Sequence, residues 1–330
     1  MIPSAANLSP SIARGNLLAP STLRLACPVC RAHFPVNNQD GLSCSGCGFV
    51  PRLIDGIWRC LSPDRLQFYK GFMHDYQTIR QAEGRGSKDA RYYHSLPFPD
   101  SSDNLDWQWQ IRGATYRYIE KRVWPQFEKW YPHGFDLLDI GAGNGWFSYR
   151  TATRGHRPVA VDLIVNDFDG LGAALHYAPV LKQLFPRFQA EMDHLPFANA
   201  QFDVVVFNAS LHYSTNYQAT LNEALRCLRH SGHLLIADSP LYHANESGRR
   251  MVEERHSQFE KQYGFRSDSI PSLEYLTFDQ VKILGSELGI SWKMRRPWYG
   301  IAWSLRPLRS WCRGKREPSK FRLLWGQRTR

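Results

Sequence analysis

The sequence predicts an α/β fold: a sheet with helices on both faces, preceded by a small metal-binding module. Three observations carry this. Short apolar runs alternate with helical patterns between Asp136 and Pro240. The first run ends in a glycine turn, Gly141-Ala142-Gly143-Asn144-Gly145. Two close cysteine pairs, Cys27/Cys30 and Cys44/Cys47, stand ahead of it.

The 330 residues suffice for one large domain and a smaller one. No run of 18 apolar residues exists, so no membrane span is expected. Residues 1–22 lack a charged start followed by an apolar core, and read as a flexible arm, not a secretory signal. A cytoplasmic protein is expected. The formal charge is +11, and residues 306–330 hold nine Lys/Arg against one Glu. That segment reads as a basic extension, and the charge leaves RNA contact open.

A C-x2-C pair sets two thiolates on one tight turn. Cys27-Pro28-Val29-Cys30 and Cys44-Ser45-Gly46-Cys47 supply two such turns, enough for a four-sulfur tetrahedral site. The cysteine count is seven, which argues against a disulfide framework. The expected ion is structural Zn2+, with His33 a bystander. Beyond it, Phe49 to Trp58 reads as a strand, a turn at Asp55-Gly56 and a short return. The stretch 23–62 resembles the zinc ribbon of tRNA-methyltransferase activator proteins, on its Leu-x-Cys-Pro-x-Cys opening, its second pair and its Ile-Asp-Gly-Ile segment. The resemblance implies a folding and recognition role, with a protein partner open.

Residues 63–130 are polar and aromatic and read as a pre-domain that contributes to a substrate cap. Trp107 to Val123 carries helical spacing and ends just before Pro125. Arg112 on that helix could reach a cofactor carboxylate or simply pack.

Phe135 to Ile140 reads as a strand, running through the glycine turn into a helix from Trp146 to Thr153. Glycines let backbone approach a ligand, and the helix start offers free N–H groups. The next strand, Pro158 to Val161, ends at Asp162, where an acid suits ribose hydroxyls. A dinucleotide fold wants G-x-G-x-x-G, but here Trp146 stands where its third glycine would be.

From Asp136 to Pro240 the series instead resembles class I S-adenosylmethionine-dependent methyltransferases, of the kind that includes quinone-biosynthesis enzymes. Their pattern is an acid two residues before G-x-G-x-G, matched by Asp139, Gly141, Gly143 and Gly145. The resemblance implies a Rossmann-like seven-stranded sheet over 131–305 and S-adenosyl-L-methionine as cofactor. It places Asp139, Gly141, Gly143 and Asn144 at the cofactor loop and Asp162 with Leu163 beside the ribose. It places Met192 on the adenine ring, Asp193 near its amino group, and Asn208 at the fourth strand's end. His212 and Tyr213 follow, where substrate is expected; His212 suits a general base or a packing role.

Further helices are expected over Thr215 to Leu228, Ser247 to Gln262 and Phe278 to Leu288. His230-Ser231-Gly232 reads as a stop, followed by a fifth strand from His233 to Asp238. Gly289 to Met294 and Trp298 to Trp303 are expected to close the sheet as an antiparallel pair. The acceptor expected is a small molecule. An RNA base read through the ribbon, or a non-catalytic cofactor-binding scaffold, are the alternatives.

Overall fold

The computed structural model describes residues 23–34, 42–99 and 106–329. The arm expected at 1–22 lies outside them. Nine strands form one sheet: β1 (Arg52–Ile54), β2 (Ile57–Arg59), β3 (Asp136–Ile140), β4 (Arg157–Asp162), β5 (Arg187–Gln189), β6 (Phe202–Asn208), β7 (Leu228–Ala237), β10 (Ile290–Arg295) and β11 (Leu323–Arg328). A separate parallel pair joins β8 (Leu241–Tyr242) to β9 (Leu276–Thr277). The sheet order is β1-β2-β5-β4-β3-β6-β7-β11-β10. Strands β5, β4, β3, β6 and β7 run parallel. The chain steps outward from β3 through β4 to β5, then returns to β6 on the other side. The loops after β3 and β6 therefore part, and a crevice opens there.

The central strands are apolar throughout because both faces are covered. Alternate residues serve different cores. Leu138, Ile140, Val205 and Phe207 pack on one face with Leu221 and Leu225. Leu137, Val204 and Val206 pack on the other with Trp124, Phe127 and Phe147. Each fully buried side chain of this size contributes roughly 1.5–3 kcal/mol.

The helices are α1 (Pro63–Ala82), α2 (Ala90–Ser95), α3 (Asp106–Arg122), α4 (Trp124–Trp130), α5 (Trp146–Ala152), α6 (Tyr217–Cys227), α7 (Asn245–Tyr263), α8 (Phe278–Glu287), α9 (Ile301–Ser304) and α10 (Arg306–Cys312). The 20-residue α1 was not expected from the sequence, where its stretch reads as polar and aromatic. Ser62 caps it, accepting from the Arg65 amide at 3.4 Å, and Pro63 opens it. Its buried stripe is Tyr69, Phe72 and Ile79.

Three further expectations are corrected. Trp298 to Trp303 is not a strand; it leads into α9, and β11 takes the place between β7 and β10. The basic segment 306–330 therefore supplies a core strand, in which Leu323, Leu324 and Trp325 are buried. His230-Ser231-Gly232 is no stop: β7 runs through it, with a register shift opposite Phe202 and Val204. The ribbon is continuous with the sheet. Asp55 and Gly56, at φ 52° and 70°, turn the hairpin, and β2 pairs in parallel with β5.

Candidate active site

The glycine turn is built by close approach. Gly141 has φ 73°, and a Cβ there would lie 2.3 Å from the Ser210 Cβ. Gly145 has φ 77°, and a Cβ would meet the Phe185 ring at 2.9 Å. Neither position accepts a side chain without moving the crevice walls.

The two acids of the turn differ in role. Asp162 ends β4; its carboxylate accepts from the Gly143 amide at 2.7 Å and from the Ile164 amide at 2.8 Å. Burial pushes its pKa up to about 6 despite those bonds. Asp139 is fully buried and accepts from the Ser148 hydroxyl at 2.8 Å. Its other oxygen has no partner among the described residues, and burial pushes its pKa up to about 7.

Three contiguous cavities follow the crevice. One of about 60 Å³ is lined by Asp162, Leu163, Ala190, Met192 and Tyr213. One of about 40 Å³ is lined by Asp139, Gly141, Gly143, Asn144, Asn208 and Arg112. The largest, about 330 Å³, is walled by Phe72, Tyr76, Arg112, His212, Tyr213 and Asp238. Tyr76 and Ala209 line all three.

Most residues singled out in the sequence meet here. Asn144 donates to Asp169 at 3.2 Å and accepts from the Trp146 amide at 3.2 Å. Arg112 has no hydrogen bond or ion pair among the described residues, although its guanidinium lies 4.9 Å from the Trp109 ring centre. Burial, with Arg85 and Arg80 nearby, pushes its pKa down to about 10. It is a cation without an anion. Asp193 stands apart from the cavity walls: its carboxylate pairs with His194 at 3.1 Å, and its carbonyl accepts from Arg31 at 3.0 Å.

His212 and Tyr213 sit on the short 3-10 turn after β6. The His212 ring lies 3.5 Å from the Ser239 hydroxyl. Burial, and then Arg255, Arg80 and Arg112, push its pKa down to about 3. A neutral imidazole facing three guanidiniums is a poor proton acceptor, which argues against a base role. Tyr213 accepts from Arg80 at 3.3 Å and meets Phe72 and Tyr76 edge-on.

Sequence reasoning missed Arg80 and Asp238, and gave Tyr76 only as one of the pre-domain aromatics expected to cap the domain or line a substrate mouth. Tyr76 and Arg80 lie on the unexpected α1. Arg80 pairs with Glu83 at 3.0 Å and stands 3.7 Å from Asp169. Asp238, which follows β7, was read only as a strand end. Its place at the carboxyl end of a parallel strand was the available signal. One carboxylate oxygen accepts from Thr115 at 2.5 Å, and Tyr299 lies 2.9 Å from the Thr115 hydroxyl. The other oxygen is buried without a partner among the described residues. Burial pushes its pKa up to about 6, and its φ of 51° is unusual for a non-glycine.

On the ribbon, Cys27, Cys30, Cys44 and Cys47 gather with all four sulfurs within 4.8 Å of one another. Sγ–Sγ distances are 3.5 Å for Cys27–Cys47 and 3.3 Å for Cys30–Cys44. Zn–S bonds of about 2.3 Å in a tetrahedron set sulfurs about 3.8 Å apart, so the set fits that ion.

Sheet order, glycine turn and strand-tip acid are those of a Rossmann-like domain, and the comparisons with known proteins point to a methyltransferase. Residues 138–236 match the family described as "Methyltransferase domain". Among curated proteins, malonyl-[acyl-carrier protein] O-methyltransferase of Yersinia pestis is 25% identical over 126 residues, 37% of this chain and 45% of that protein. The 27-O-demethylrifamycin SV methyltransferase of Amycolatopsis mediterranei is 28% identical over 143 residues, 39% of this chain and 48% of that protein. The chain thus spans about half the length of these curated relatives. Among solved structures, magnesium protoporphyrin IX methyltransferase from Synechocystis, with bound S-adenosylhomocysteine, aligns at TM-score 0.46 and 16% identity. That alignment covers 77% of this chain and all of that one.

Proposed function

We propose that this protein transfers a methyl group from S-adenosylmethionine to a hydroxyl of a small-molecule acceptor held in the cavity of about 330 Å³. One observation carries the reading. That cavity and the two smaller ones share Tyr76 and Ala209, so acceptor space adjoins the hollows lined by the glycine turn and by Asp162.

The donor set suits the cofactor. Asp162 would offer its remaining lone pairs to ribose hydroxyls, and Leu163 and Met192, lining the same cavity, would pack the adenine. Arg112, with no ion-pair partner of its own and lining one hollow with Asn208 and the glycine turn, would hold the cofactor's amino-acid carboxylate. When bound, the sulfonium supplies an already activated methyl group. The chain's own work is alignment and exclusion of water, by Phe72, Tyr76 and Tyr213. It also includes removal of a proton: the free oxygen of Asp238 accepts the hydroxyl proton. Thr115 donates to the other Asp238 oxygen and accepts from Tyr299, which fixes the carboxylate's orientation. The relatives support a small acceptor only by what they are named for, a carrier-bound malonyl group and a rifamycin.

In the ribbon we assign the four thiolates to structural Zn2+. Such a closed site leaves no open position for chemistry.

Calorimetry with S-adenosylmethionine tests the cofactor reading. We expect saturable binding that Asp162→Ala weakens by about 10-fold or more, the loss of charge-assisted hydrogen bonds to the ribose. Absence of binding by the unaltered protein rules out the enzyme reading, and an unchanged Kd in the variant rules out the ribose role.

A further inference from the structure

The segment between β10 and β11 carries an apolar ridge pointing away from the protein. Leu305 joins α9 to α10 in right-handed helical backbone, so 301–312 form one nearly continuous helical stretch. At 100° per residue, Ile301, Leu305 and Leu308 fall within about 60° of arc. These three are 71%, 41% and 57% exposed, and Trp311 on the same stretch and Trp298 just before it are 78% and 67% exposed. Single exposed apolar residues are ordinary; a stripe of them on one helical face is not. The opposite face is the docked one: Trp303 stacks on Phe321 at 5.5 Å and meets Tyr299 at a tilt, 5.4 Å between ring centres. The amphipathicity is thus inverted, with the apolar stripe turned to solvent.

The ridge's flank is strongly basic. A surface hollow of about 520 Å³ is lined by Arg250, Arg306, Arg309, Arg313, Lys315 and Arg316, with Glu254 the acid among its walls. Arg316 is neutralised by Glu254 at 2.7 Å. Arg250, Arg309, Arg313 and Lys315 have no side-chain hydrogen bond or ion pair among the described residues.

We propose that this surface docks the protein on an anionic lipid bilayer, with the ridge entering the headgroup boundary and the arginines meeting lipid phosphates. Exposed Trp, Ile and Leu beside unpaired Arg and Lys is the combination that interfacial helices use. A nucleic-acid tract would satisfy the arginines and leave Ile301, Leu308 and Trp311 in water. A second copy of this chain would cover the ridge but bring Arg309 and Arg313 toward their own images across a twofold axis. An apolar phase under a negative surface answers both halves. This docking needs no helix that crosses the bilayer, and none among the described residues is long and apolar enough to do so. Because Phe321 lines the acceptor cavity and stacks on Trp303, the docked bilayer lies beside that cavity's wall.

Vesicle co-sedimentation of the full chain decides it, with no dependence on methyl transfer. The probes are vesicles of phosphatidylcholine alone and of phosphatidylcholine with phosphatidylglycerol. We expect binding to the anionic vesicles that weakens with salt, and little binding to the neutral ones. Leu308→Ser/Trp311→Ser and Arg309→Glu/Arg313→Glu should each lower it by about tenfold or more. Both pairs are exposed, and an unchanged thermal transition checks that they fold. Failure of the unaltered chain to bind anionic vesicles overturns the proposal, as does binding indifferent to both pairs of substitutions. A concentration-dependent dimer abolished by Leu308→Ser/Trp311→Ser assigns the ridge to a second copy and overturns it too.

Discussion

At the scale of single residues, the site turns on where buried charges have partners. His212 and Asp238 both face the acceptor cavity, but their surroundings act oppositely. Burial and three arginines strip His212 of its proton affinity, to about 3. Burial raises that of Asp238, to about 6, with Arg112 and Thr115 opposing. The titratable groups around Asp238 are Arg112, His212 and Tyr299, and neither Arg112 nor His212 changes charge near pH 6. The rate should therefore rise as pH climbs through about 6 and Asp238 ionises, then level off. Asp238→Asn should lower kcat by about 10²–10⁴ and remove that limb. His212→Asn should leave the limb in place; a limb lost with His212 would return the base role to the imidazole. Asp139 supports a stability test. Its folded pKa, near 7, lies above the ordinary carboxyl value, so the protonated form is favoured in the fold. The stability this brings is present in full below about pH 4 and is lost as pH rises through about 7. Asp139→Asn stays neutral throughout. Its melting temperature should gain on the unaltered protein between about pH 4 and pH 7, whereas a constant difference would show that Asp139 does not ionise there.

At the scale of elements, the ribbon and the methyltransferase sheet are mechanically joined. β2 extends the sheet at β5, Leu25 bridges Phe197, and Arg31 holds the Asp193 carbonyl and the Glu223 carboxylate. Met192, on the wall of the groove's 60 Å³ end, belongs to that same loop. Cys27→Ser/Cys44→Ser should therefore release zinc, lower the melting temperature and raise the Kd for S-adenosylmethionine several-fold. Loss of metal with unchanged cofactor affinity would show that the ribbon does not brace the loop. Elements with a clean period were legible in the sequence. The strands β3, β4 and β6, the helices α3, α7 and α8, and the turn at Asp55-Gly56 all announce themselves by local pattern. Helix α1 did not, because its buried stripe is aromatic and set among charges. Its cap, Ser62 with Pro63, was the sign available. The strand β11 did not either. Leu323-Leu324-Trp325 is a short apolar run in a basic stretch, and only the gap between β7 and β10 gives it a place.

At the scale of the whole molecule, strand order creates the site and the chain's ends complete it. The reversal at β3 opens the crevice, α1 and α3 roof it with Tyr76 and Arg112, and the segment after β10 closes it through Tyr299 and Phe321. A ligand bound across so many elements should stabilise all of them together. At a hundredfold excess over Kd the gain is about 2.7 kcal/mol, read as one cooperative shift of the melting transition. Separate shifts for ribbon and sheet would show that they unfold independently. The glycine turn, the acid at the tip of β4 and the two cysteine pairs could be read from the chain alone. Their chemistry depends on neighbours within a few residues, and spacing records that. The partnerless oxygen of Asp238, the unpaired Arg112 and the proton-poor state of His212 could not. Each depends on burial and on charges brought together from α1, α3, β6 and β7, whose separation along the chain leaves no local mark. The same holds for the ridge on α9 and α10, whose residues read as a strand and a basic extension until the fold makes them helical and turns them toward solvent.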